Sequence, residues 1–186
     1  MKKILLFAGL ICMIGISNGQ NSPKTPGIML GLDSTIIIRE YSNFNNQRMD
    51  ETWIKVSTPG RIIYYCHNSN DKNKQNVAHV YDFDGAGLSY KYTTISTQEK
   101  TKYAVDHFNN LTVNRKNLYK FEGTISDTQA VWISNDEVAE DAGCNCGNVK
   151  VTVITNIKPD DNLVGDCGVK PGRSGELLAI VYTPNK

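Results

Sequence analysis

The sequence predicts an α+β protein: a twisted, mainly antiparallel sheet built from hairpins, with one well-capped helix packed on it and disulfide-tied C-terminal loops. Three observations lead there. Short β-branched and aromatic runs recur along the chain, separated by Gly, Pro and Asp turn signals. Only one stretch carries a clean helical period, and it lies between two groups of strands. Hairpins therefore dominate over strand–helix–strand alternation, the pattern of helices packed on an antiparallel sheet.

The chain opens with a segment that belongs to transport. Met1-Lys2-Lys3 is a short positive start, Ile4 to Ile16 is apolar, and Ser17-Asn18-Gly19 supplies small or polar residues for cleavage. The apolar run falls short of the roughly twenty residues that cross a hydrocarbon core. Residues 1–19 therefore read as a bacterial-type signal peptide cut near Gly19-Gln20. The expected address is the periplasm or the extracellular space, with no integral membrane segment left after cleavage. Cys12 lies inside the apolar run after Leu10-Ile11, which is not a lipobox. Residues 20–27, with two prolines and a glycine, read as a flexible leader, and 28–186 as a single α+β domain.

Asp33 or Ser34 can cap a helix through Thr35–Asn43, but Ile36-Ile37-Ile38 suits a strand equally, and residues 33–44 stay open between the two. Thr52, Ile54 and Val56 then share one face of a strand. Thr58-Pro59-Gly60-Arg61 forms a turn in which glycine accepts positive φ, and Ile62–Cys66 returns as a buried strand. A second hairpin joins Val77–Phe83 to Leu88–Thr94 through Asp84-Gly85-Ala86-Gly87. In its return strand Leu88, Tyr90 and Tyr92 alternate with Ser89, Lys91 and Thr93, so one dry and one wet face are expected. Ser96 and Glu99 have capping-box spacing. Ala104, Phe108 and Leu111 mark the buried face of the helix that follows, which Asn109-Asn110 can end. Leu118–Phe121, Ala130–Ile133, Val149–Ile154 and Leu177–Tyr182 complete the strands. The Asp- and Gly-rich connections 135–148 and 156–175 separate the last three.

Once the signal peptide is removed, four cysteines remain: Cys66, Cys144, Cys146 and Cys167. An even set in an oxidising compartment reads as two disulfides. A Cys144–Cys146 bridge would close a very small ring, so each is expected to reach elsewhere, with the connectivity open. A lone Cys-x-Cys lacks the paired spacing of structural zinc, even with His67, His79 and His107 counted, so no metal and no cofactor are expected. The carboxylates Asp136, Glu137, Glu140 and Asp141 lack the alternation of a calcium loop. Lys and Arg number 20 against 19 Asp and Glu, a balance that gives no reason to expect a nucleic-acid partner.

Asp82-Phe83-Asp84-Gly85, after an apolar segment, resembles the first motif of haloacid-dehalogenase-type phosphatases. The resemblance implies Asp82 as nucleophile, Asp84 as acid and base, and Asp160 or Asp161 as a Mg²⁺ ligand. It covers four residues and departs at Ala86, where the family has Thr, and in the strand that follows, where the family has a turn and helix. An Asp-Gly hairpin tip accounts for the same letters. A secreted hydrolase would draw on Asp82, Asp84 and His107 and needs them to converge. The leading expectation is instead a non-catalytic binding module for a protein, peptide or glycan. An aromatic surface of Trp53, Tyr90, Tyr92 and Trp132 is its candidate contact, with core filling by the same rings as the alternative.

Overall fold

A computed structural model describes residues 26–47, 51–68, 77–113, 118–135, 148–163 and 168–185. Residues 1–25, which hold Cys12, the expected signal peptide and most of the expected leader, lie outside the described residues, as do Cys144, Cys146, Cys167 and the acidic run 136–141. Helix α1 (Ser34–Gln47) precedes the meander β1 (Glu51–Thr58), β2 (Arg61–Asn68), β3 (Val77–Phe83) and β4 (Ser89–Thr97). A 3₁₀ turn (Gln98–Lys100) leads into α2 (Thr101–Val113) and a second meander, β5 (Tyr119–Ser126), β6 (Gln129–Ser134), β7 (Val149–Ile157) and β8 (Leu177–Pro184). The strands form one antiparallel sheet in the order β1-β2-β3-β4-β8-β7-β6-β5. Each half is thus a helix followed by four strands, and the halves fuse where β4 pairs with β8, from Tyr92↔Tyr182 to Thr97↔Leu177.

The open segment 33–44 is helical. Asp33 is the cap: its Oδ1 accepts the N–H groups of Thr35 and Ile36 at 2.7 and 3.1 Å. Ile37, Tyr41 and Phe44 then fall on one buried face, so helical burial outweighs the β preference of three consecutive isoleucines. The expected Ser96–Glu99 capping box does not form. Ser96 is still inside β4, α2 begins at Thr101, and Glu99 is engaged with a distant loop. The buried face Ala104, Phe108 and Leu111 is as the spacing predicts, while the helix runs past Asn109-Asn110 to Val113.

Both helices pack on the same face of the sheet, against Trp53, Tyr64, Tyr81, Tyr92, Trp132, Val151 and Tyr182. The far face carries a second cluster of Ile63, Ala78, Val80, Ile95, Ala179 and Val181. Leu163 and Val169 from the β7–β8 connection pack against it. The central strands are therefore dry on both sides, and the expected wet face of the 88–94 strand is corrected: Thr93 is fully buried.

The two edges of the sheet are blunted differently. On β1 the Asn45 carboxamide of α1 accepts the Trp53 N–H and donates to the Trp53 C=O, both at 2.9 Å, standing in for a neighbouring strand. On β5 the register slips at Phe121/Gly123 and again at Thr124/Ser126, with Gly123 at φ 137. Bulges of this kind twist an edge away from further pairing. Among the described residues no helix is long and apolar enough to cross a membrane.

Candidate functional site

Asp82 sits on β3 facing away from the helices, at a register position opposite both Arg61 on β2 and Lys91 on β4. Its carboxylate takes Arg61 Nε at 2.5 Å and Lys91 Nζ at 2.7 Å, and Arg61 also donates to the Asn162 C=O at 3.3 Å. The group is buried between two cations and joins three strands to the β7–β8 connection. Asp84 is occupied by its turn: Oδ1 accepts the N–H groups of Ala86 and Leu88, both at 2.9 Å. Asp161 likewise accepts the Leu163 N–H at 2.8 Å.

His107 is on α2, over the opposite face of the sheet from Asp82, with its ring edge-on to Phe108 at 5.3 Å. It lines an apolar cavity of about 20 Å³ with Tyr103, Phe108, Leu178 and Ile180. That is room for a water molecule, far below a metabolite pocket. Asp82 and His107 therefore do not converge, and a strand follows the Asp-Gly turn without the crossover helices that the phosphatase resemblance implies. Among the described residues no three of His, Cys, Asp and Glu gather as a metal-holding group.

The aromatic set divides. Trp53, Tyr92 and Trp132 are 1–2% exposed and belong to the core, so a contact surface made of all four rings is corrected. Tyr41 stacks on Tyr64 at 3.6 Å, Trp132 meets Phe108 at 5.3 Å, and Tyr92 meets Tyr182 at 5.4 Å. Burial pushes the Tyr64 phenol up to about 12. Tyr90 alone of the four points outward, at 46% exposure. The cause is a bulge: pairing passes from Asp82↔Lys91 to Phe83↔Ser89, leaving Tyr90 as the extra residue and breaking its alternation with Tyr92. Lys91 Nζ lies 5.9 Å from its ring centroid, and Leu88, at 41% exposure, is two residues away.

A polar cluster that the sequence does not announce lies inside the aromatic core. Tyr41 Oη is 2.5 Å from His79 Nδ1 and 3.2 Å from Tyr81 Oη. Tyr81 donates to the Gly27 C=O at 2.5 Å, and Ser89 donates to the Met29 C=O. Trp53 covers the His79 ring at 4.3 Å. Burial lowers the His79 imidazole to about 3, with an opposing contribution from its hydrogen bond to the Pro26 backbone. Pro26 and Gly27, expected to be loosely held, are thus fastened to the core, a correction to the extent of the leader. The only advance signal was alternation: His79 has the parity of Tyr81 in a strand whose other face is apolar. Cys66 is half-buried on β2, facing the helix side. The chain matches no protein-family model, no curated protein and no solved structure.

Proposed function

We propose that this chain is an exported, non-catalytic binding protein of the periplasm or extracellular space, and that it meets a protein, peptide or glycan partner at the β3–β4 hairpin. The observation that carries the reading is the bulge that turns Tyr90 out beside Leu88, on a hairpin held rigid by the Arg61–Asp82–Lys91 cluster. Bulges re-aim side chains at working surfaces, and an outward tyrosine offers a large contact area at small entropic cost. The nearby β7–β8 connection, tied to β2 through Arg61 and Asn162, adds polar groups to the same side of the sheet. The groups a hydrolase would use support this choice by their occupations: Asp82 is ion-paired, Asp84 holds a turn, and His107 lies across the sheet.

Photo-cross-linking in the exporting cell tests the reading. A benzophenone side chain at position 90 is expected to trap a discrete adduct that weakens when Leu88→Ser is added. The same group at Ile125, which is 63% exposed on β5, is expected to trap none. Equal adducts at both positions, or none at position 90, would overturn the proposal.

A further inference from the structure

Glu99, on the 3₁₀ turn after β4, reaches a loop more than seventy positions away. The backbone N–H of Arg173 donates to Glu99 Oε1 at 2.6 Å, and the N–H of Ser174 donates to the same oxygen at 3.4 Å. Successive amides aimed at one oxygen form an anion-binding concavity. Gly172 supplies the room, since a Cβ there would overlap both oxygens of the Glu99 carboxylate. The loop has its own fastenings. Gly175 N–H donates to the Gly172 C=O at 3.2 Å, with Gly175 at φ 74. Ser174 Oγ accepts the Glu176 N–H at 3.3 Å, and the Glu176 carboxylate pairs with Lys158 at 2.7 Å. Glu99, Arg173 and Ser174 are all exposed, so a solute can reach the place that Glu99 fills. Hydrogen bonds from its own N–H, Thr97, Arg173 and Ser174 hold the Glu99 carboxyl below the usual carboxylate range.

We propose that residues 172–175 form a carboxylate-binding loop which Glu99 occupies in cis, and that an incoming carboxylate takes the same two amides once Glu99 leaves. The recognised chemistry is one carboxylate, carried either by a small organic acid or by the end of a polypeptide. The site is independent of the Tyr90 hairpin, so failure of one reading leaves the other standing.

Chemical rescue in the full mature protein tests it. Acetate is titrated against chloride at equal ionic strength while the Arg173 and Ser174 amides are followed by NMR. Wild type is expected to be silent. Glu99→Ala is expected to give saturable shifts in the millimolar range, lost again when Gly172→Ala is added. Glu99→Gln, which keeps an acceptor without the charge, is expected to fall between them and covers the case in which the alanine variant loses the loop's shape. An acetylated dipeptide with a free C-terminus binding at least tenfold tighter than acetate, while its amide fails, assigns the site to chain ends. Equal binding of acetate and dipeptide assigns it to small acids. Amides that respond to neither, or equally to chloride, overturn the proposal.

Discussion

Replacing Trp132 by alanine is expected to remove about 4 kcal/mol of folding stability, whereas Tyr90→Ala changes it by no more than about 0.5 kcal/mol. Both are aromatic residues on strands of one sheet, and the sequence treats them alike. Trp132 is 1% exposed, faces the helices opposite Val151, and touches Phe108 and Phe121 at 5.3 and 5.2 Å. Truncation there removes contacts on both sides and leaves a cavity that the sheet cannot close, since its backbone is fixed by pairing to β5 and β7. Tyr90 has no such neighbourhood to empty. Urea denaturation of the two variants, with an unchanged slope against denaturant, reads the difference directly. In a heating experiment Trp132→Ala should lower Tm by about 10 °C.

The contrast also marks how far the fold was legible in the sequence. Alternation placed the strands, and Gly60 at φ 73 confirms the Pro-Gly turn between β1 and β2. Alternation also put Thr52, Ile54 and Val56 on one side of β1, where the ladder to β2 is regular. It failed at Tyr90, because a bulge is a property of two paired strands and leaves no mark in either alone. It failed again at Thr93, where a threonine read as solvated lies on a face covered by residues from far along the chain. Glu99 misled for a related reason: capping-box spacing is local, and the backbone of residues 173 and 174 competes for the same carboxylate only after the chain has folded. Two groups of four strands divided by a helix are legible in the sequence, but the pairing of β4 with β8 that fuses them is not. Asp82 stands out in the sequence as an acidic residue after an apolar segment, but an ion pair across three strands cannot be told from a catalytic group without the register.

Acid should destabilise the protein through His79 well before the carboxylates protonate. The folded imidazole titrates near 3, against about 6.5 in the unfolded chain. Between those values the unfolded state binds the extra proton. The stabilisation is therefore complete above about pH 6.5, declines as pH falls, and levels off below about pH 3. The slope for one proton is about 1.4 kcal/mol per pH unit, so about 2 kcal/mol is lost between pH 6 and 4.5. His79→Phe removes the titrating ring from its place between Trp53 and Tyr92 and leaves the Tyr41 hydroxyl without that neighbour. The variant is expected to be less stable at pH 7 and flatter between pH 6 and 4.5. Parallel curves for wild type and variant would remove His79 as the source of the acid sensitivity.

The fold depends on the two helix-plus-meander halves sharing one sheet through the β4·β8 ladder. Native-state hydrogen exchange across a urea series reads this directly. The amides of Tyr92–Ile95 and Ala179–Tyr182 are expected to exchange last, with one opening free energy and one denaturant dependence. Separate opening of residues 119–184 at lower urea, while 51–97 stay protected, would contradict it.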